Sequence, residues 1–519
     1  MDGKTRINIA GKMFLLAPLL LLLLFAVSGC ERKSPPQKAP EKAKPVWDGT
    51  GEGFRTSRND RKEIEITLKE TKLAAIPEDY DKWGNISFSA DGQQVFYKAI
   101  KRGKNFIVVN DKTGKFYDAI NDLIVFSPDG KRVAYDGKRG GKEYLVIDGK
   151  EVKSFDDVAP GPFSPDGHLV ACQVEGKEDK KWFIIVSGGE KEIYRSQAFP
   201  DTFRYPVFSP DGRLLVFEMG DDKMKIENKK RTVFFLDVST KKIIKERLYT
   251  DYQTGKISFS SDSSRAVYDI QKEGKSFLVL LDFALNVADS TLREERKIEL
   301  PYAATVNFIL SPDGKKIIYI ATKEGKQYLV VSPWESPAQG KERGPYEAIA
   351  SPVFGPDSTT AVYYAMKNGK WRIVVGNKEG GANYDRGGNA PSVFSPDGAK
   401  IAWPAMKGGH QDRRMMDGKW FMVVSSAGKP AAAKESAAYD MVVTPVFSPD
   451  GKYIAYRART GTMEKAKRFI VIANTETGKV IKEGHVSDEV WPPVWSADGK
   501  AVAYGARIGR ELWWKVEKL

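Results

Sequence analysis

Apolar residues in this chain gather in short runs, and the runs fall into two recurring designs. One reads KRVAY, RLLVFEM, KKIIYIA, KIAWPA, KYIAYRA and AVAYGA; the other reads EYLVID, KWFIIV, SFLVLLD, QYLVVS, KWRIVV and RFIVIA. Such runs, rich in β-branched and aromatic residues and bounded by Gly, Asp and Lys, predict β-strands. Ahead of each first-design run stands a short phrase. It is Phe-Ser-Pro-Asp-Gly, word for word, at Phe126, Phe163, Phe208, Phe394 and Phe447, with looser copies at Phe88, Phe259, Leu310, Phe354 and Trp495. Pro fixes φ for the second place of a β-turn, Gly suits the fourth, and Ser and Asp hydrogen-bond neighbouring backbone. Each phrase therefore predicts the tight corner of a β-hairpin.

The ten copies are 37 to 53 residues apart. The unit that starts near Phe126 contains strand A ending in IVF, strand B in KRVAY, strand C in EYLVID and strand D in VKSF. Four strands per unit and this spacing predict an all-β propeller of about ten four-stranded blades. Two smaller rings of about five blades are the alternative. The aromatics that open strand C (Tyr144, Trp182, Trp371 and Trp420) are expected to wedge neighbouring sheets apart. The last repeat shows strands A, B and C only, whereas EIEITLKETKLAAI, before the first repeat, has no partner of its own. Lending that strand to the last blade would close the ring and remove two free sheet edges.

Composition changes the picture mainly at the N-terminus. Lys4, Arg6 and Lys12 precede an apolar run from Met13 to Val27, too short for a span and typical of a signal peptide. Val27-Ser28-Gly29-Cys30 follows and resembles the lipobox of bacterial lipoproteins. The resemblance implies cleavage between Gly29 and Cys30 and lipidation of Cys30. Residues 1–29 are then a lipoprotein signal peptide, 30–60 a Pro- and Lys-rich tether, and 61–519 the propeller. Glu31, where inner-membrane retention would use Asp, implies a periplasm-facing protein of the outer membrane. Cys172 is the second cysteine and is expected to be a small buried residue. A net charge of +14 with acids and bases interleaved, and no nucleic-acid module, points away from DNA and RNA and toward an anionic envelope polymer or an envelope protein.

The stretch TPVFSPDGKYIAY, Thr444 to Tyr456, resembles the WD40-like propeller repeat of the TolB type, found in the periplasmic component of the Tol–Pal system. The resemblance covers about residues 80 to 519 and implies a propeller that acts as a binding scaffold. The same repeat forms the propeller of prolyl-oligopeptidase-like enzymes.

Catalytic constellations are scarce. His168, His410 and His485 stand far apart without metal spacing, and no nucleophile elbow, HExxH or phosphate loop occurs. No enzyme is expected, with a carbohydrate-active or peptidase-like enzyme and a ligand-free spacer as the alternatives. Two patterns rise above this background. The B–C turns are basic, as in KAIKRGKN, KRGGKE, KNGK and at Lys229, Lys230 and Arg231. The D–A connections carry an aromatic followed by an acid: Tyr80-Asp81, Tyr117-Asp118, Phe155-Asp156, Tyr346-Glu347, Tyr384-Asp385 and Tyr439-Asp440. Because strand A is innermost in a propeller, these acids are expected at the rim of the central funnel. They are either caps for backbone N–H groups or a ring that holds a cationic partner. No cofactor is expected; a cation in the funnel is the one exception the pattern leaves open.

Overall fold

The computed structural model describes residues 66–519, except 177–179, 221–229, 251–252, 255–256, 273–274, 286–289, 303, 388–390, 410–417 and 463–464. The chain divides into two units, Met1–Gly53 and Phe54–Leu519, and every described residue belongs to the second. The signal peptide, the tether, Gly29, Cys30, Lys229 and His410 lie outside the described residues.

The strands pair into ten antiparallel sheets, nine of them built from consecutive strands. Blade 2 is representative, with strand A at Val125–Phe126, B at Val133–Arg139, C at Lys142–Ile147 and D at Lys150–Phe155. Both faces of each sheet meet another sheet, which is why strands B and C are apolar almost throughout. In blade 4, every residue from Leu214 to Met219 is buried. Side chains that alternate along such a strand serve two different seams: Val133 and Tyr135 pack against blade 1, whereas Ala134 packs against blade 3. Tyr144, Trp182, Trp371 and Trp420 all join clusters of this kind, as expected.

These clusters decide how many rings there are. Val267, Leu278 and Leu280 of blade 5 share a core with Tyr319, Val330 and Trp334 of blade 6, which joins the two halves of the chain. Ala74, Ile76 and Leu512 share another with Val95, Tyr97 and Phe106 of blade 1. Blade 10 therefore meets blade 1, and the ten blades form one ring rather than two.

The closing strand is Thr71–Ala75, antiparallel to Glu511–Lys518, with Thr71 opposite Trp514 and Ala75 opposite Glu511. It supplies strand D of blade 10. The strand expected over 63–76 is shorter in the structure, but the chain just before it is still tied down. Thr67 N–H donates to the Asp91 carbonyl and Trp514 Nε1 donates to the Thr67 carbonyl, both at 2.9 Å. At the inner rim, Trp491 Nε1 donates to the Ile86 carbonyl at 2.9 Å and its ring packs against Phe88. Gly505 makes room, since a Cβ there would lie 2.3 Å from the Phe88 ring.

The phrase is a turn, and its parts act as its chemistry predicts. In blade 9, Ser448 Oγ donates to Asp450 at 2.7 Å and accepts the Tyr453 N–H at 2.9 Å, while Asp450 accepts the Lys452 N–H at 3.0 Å. The serine is fully buried and the glycine, Gly451, has φ +69°. The turns also stack around the ring. Gly130 lies on Ser89 of the preceding turn, Gly314 on Ser260 and Gly451 on Ser395.

Candidate functional site

The aromatic–acid pairs lie where strand D of one blade crosses to strand A of the next. The aromatic ends the outgoing blade. Trp371 and Tyr384 exchange two N–H···O bonds of 2.8 Å, and Trp420 and Tyr439 form the same bridge. The tyrosine hydroxyl then reaches strand D of the incoming blade. Tyr117 donates to Glu151 at 3.1 Å, Tyr384 to Glu435 at 2.9 Å and Tyr439 to Glu483 at 2.7 Å. Burial, with the facing carboxylate, pushes these phenols far above their ordinary range, so they remain neutral donors.

The acid begins the incoming blade, and its main-chain N–H pairs with the end of strand B: Asp118 with Lys138, Asp385 with Met406, Asp440 with Arg459. Expected at the funnel rim from the innermost place of strand A, the carboxylate meets the B–C turn. Asp440 accepts the Gly461 N–H at 2.7 Å with one oxygen and the Lys419 ammonium at 2.5 Å with the other. Asp118 accepts the Gly140 N–H at 2.9 Å and Lys104, and Asp385 accepts the Gly408 N–H at 2.8 Å and Lys370. Glu347 takes two turn N–H groups, Asn368 at 2.8 Å and Gly369 at 2.9 Å. Asp81 accepts the Gly103 N–H at 3.3 Å, and Asp156 pairs with Lys180 at 2.5 Å. The reason is steric order: the chain has just left strand D, so the nearest free N–H groups belong to the next B–C turn.

The clasps of Asp118, Asp385 and Asp440 span two blades, whereas Glu347, Asp81 and Asp156 meet the B–C turn of the incoming blade alone. Lys104, Lys370 and Lys419 open strand C of the outgoing blade, whereas the turn glycine belongs to the incoming one. The basic turns and the acidic connections, two separate patterns in the sequence, are largely one structure. The lysine hydrogen bond, then the turn N–H, holds Asp118 below the ordinary carboxylate range; Lys419 does the same for Asp440. Asp488 holds the B–C turn of its own incoming blade, accepting the Gly509 N–H at 2.6 Å and Arg507 at 3.1 Å. It follows Ser487 and escapes the aromatic–acid pattern. The signal that finds it is distance: like Asp440 and Asp156, it stands seven residues before the turn phrase.

The opposite face carries its own seam contacts. Arg132 donates to the Gly167 carbonyl at 2.9 Å, and Arg265 to the Gly314 carbonyl at 3.0 Å. Between blades 5 and 6, the Trp334 ring lies 5.0 Å from the Arg265 guanidinium and 5.6 Å from that of Arg296. Asp282 accepts from Arg265 at 2.8 Å and from Trp334 Nε1 at 3.2 Å. Arg265 and Asp282 border a polar cleft of about 490 Å³ with Glu294 and Glu335. His168 is a turn residue whose N–H is bound by Asp166 at 3.0 Å, and His485 N–H is bound by Glu517 at 3.1 Å. Among the described residues, no group of three or more His, Cys, Asp or Glu side chains is placed to hold a metal ion. Cys172 is fully buried, as expected.

A ten-bladed β-propeller whose repeated polar residues bind blade to blade is the class these features define. No protein-family model matches the chain, and no curated protein matches it. The chain is similar to several solved structures. A eukaryotic initiation factor structure is 14% identical over 80% of this chain and 97% of its own, with a TM-score of 0.45. The Dos1 propeller is 11% identical over 75% and 90%, with a TM-score of 0.35. TolB from Acinetobacter baumannii is 16% identical over 58% and 80%, with a TM-score of 0.25.

Proposed function

We propose that the protein is a lipid-anchored, periplasm-facing binding scaffold rather than an enzyme, and that its partner is an anionic envelope polymer. The anchor reading rests on Val27-Ser28-Gly29-Cys30 and the Pro- and Lys-rich run behind it. The observation that carries the partner class is a girdle of lysines. Strand D opens with an exposed lysine in blade after blade: Lys112, Lys150, Lys191, Lys242, Lys341, Lys378 and Lys434. Strand D is the outer edge of each sheet, so these charges follow the circumference of the ring. Lysine on an edge strand also discourages edge-to-edge pairing. A periodic ring of cations suits a long anion, because each contact is weak alone and many act together.

Two measurements test this reading. Cys30→Ser should abolish incorporation of labelled fatty acid and move the protein from the membrane to the soluble fraction. Unchanged fractionation with the label retained would refute the anchor. For the partner, purified lipopolysaccharide is the probe: the wild type should bind it at low salt, lose it at high salt, and lose it at low salt when Lys112, Lys191, Lys242 and Lys341 are all changed to Glu. Binding that survives the four reversals would refute the girdle. Failure of the wild type to bind at all would point to an envelope protein instead.

A further inference from the structure

The strand B residue ten places after the aromatic that opens the turn phrase faces strand A of the next blade at the inner rim. In blade 1 it is Lys98, whose ammonium donates to the Ile120 carbonyl at 2.6 Å and to Asp122 at 2.9 Å. In blade 9 it is Arg457, which donates to the Val490 carbonyl at 3.1 Å and to Thr444 at 3.1 Å. Ile120 and Val490 each stand two residues after a clasp acid, Asp118 and Asp488. A donor at this position therefore ties one blade to the next.

In blade 2 the position holds Asp136, and the residue two after the next clasp acid, Asp156, is Val158. Asp136 is only 1% exposed. It accepts the Asn121 main-chain N–H at 3.3 Å and the Asn121 amide at 2.6 Å, both neutral donors. Among the described residues it joins no ion pair, whereas Glu218, its counterpart in blade 4, has Arg231 at 3.7 Å. The charged groups around it are mostly of its own sign. Glu143, from strand C, is 7% exposed; it accepts the Val158 N–H at 3.2 Å and pairs with Lys138 at 3.2 Å. Asp157 approaches from blade 3. Beyond Asn121 lie Lys98 and Asp122, already paired with each other.

We propose that the seam between blades 2 and 3 is a proton-operated joint: protonated Asp136 keeps it closed, and loss of that proton to solvent loosens it. A protonated carboxyl has the donor that Lys98 and Arg457 supply at their seams. An ionised one is a buried charge without a counter-ion, set against Glu143 and Asp157. Glu143 is the side chain that holds Val158, so the repulsion acts on the contact that closes the seam. Burial, then the Glu143 charge, raises the Asp136 carboxyl from 3.8 to about 7. The closed seam therefore binds the proton more tightly than the open one. Its contribution to stability is complete below 3.8, declines as pH rises, and is gone once pH has passed about 7.

Hydrogen exchange on the full chain tests the joint, comparing about pH 5.5 with about pH 8.5 after correction for intrinsic rates. In the wild type, amides of Asp157–Phe163 and Lys142–Ile147 should exchange at least roughly tenfold faster at the higher pH. Asp136→Asn, which keeps the shape and a permanent donor, should exchange slowly at both. Glu143→Gln, which removes one facing charge, should narrow the wild-type difference and covers the case in which Asp136→Asn fails to fold. Equal pH dependence in the wild type and either variant, or an effect spread evenly over all ten blades, would overturn the proposal.

Discussion

A single glycine in the turn phrase answers to two constraints, and only one of them belongs to its own turn. Gly130 has φ +70°, and a Cβ there would also lie 2.8 Å from the Ser89 backbone of the preceding blade. Gly103, in a B–C turn, has φ +73° but open space around it. Gly103→Ala should cost about 1 kcal/mol, the penalty of a left-handed backbone alone. Gly130→Ala should cost roughly 3 kcal/mol, because backbone must also move; denaturant melts of the two variants give the comparison, and equal losses would remove the stacking role. Ser358 and Ser263 show how the chain tolerates departures. Each occupies the glycine place with positive φ, and each hydroxyl accepts an N–H from the turn before, Asp313 at 3.1 Å and Asp211 at 3.0 Å. The turn itself was readable from Ser, Pro, Asp and Gly. The stacking was not, because the atom that excludes a side chain comes from another repeat.

Between elements, the clasp makes the D–A crossing a fixed joint. Asp440 is a surface carboxylate with 29% of its side chain exposed, so its bond to Lys419 is screened and contributes a few tenths of a kcal/mol. The Gly461 N–H matters more, since a turn amide left without an acceptor costs about 1 kcal/mol. Asp440→Ala should thus speed exchange at Gly461 and lower stability by about 1 kcal/mol, while Lys419→Ala should change little. Lys419 holds the carboxyl below its ordinary value, so this stabilisation is present above pH 3.8 and is lost as pH falls below it. A loss equal in the two variants would mean that the ion pair, not the turn, is the working contact. The sequence marked these residues through the repeated aromatic–acid pair, but not their direction. Gly461 lies 21 residues after Asp440 and Lys419 lies 21 before it, and no local pattern joins the three.

At the scale of the ring, repeat and strand order were legible from the ten phrases, and the lent strand from EIEITLKETKLAAI. One ring against two was not, because every seam uses the same residue types. The difference lies in which faces meet, and only the clusters joining blade 5 to 6 and blade 10 to 1 decide it. Deleting residues 60–76 removes a paired strand and Ala74 and Ile76 from the closing core, whereas deleting 31–46 leaves every described contact intact. The first deletion should lower the melting temperature by several degrees and the second should leave it unchanged; equal melting temperatures would contradict closure by the lent strand.

Closure by the first and last strands has a consequence for synthesis. Thr67 and Trp514, bonded in the finished ring, are 447 residues apart in the chain. At roughly 5–20 residues per second, the ribosome needs on the order of half a minute or more to make the second after the first. Throughout that interval Val95, Tyr97 and Phe106 have no partner on one flank, although each is almost wholly buried once blade 10 arrives. A nascent chain in this state is a sticky half-circle. Its survival depends on whatever covers that flank until the C-terminal strand is made.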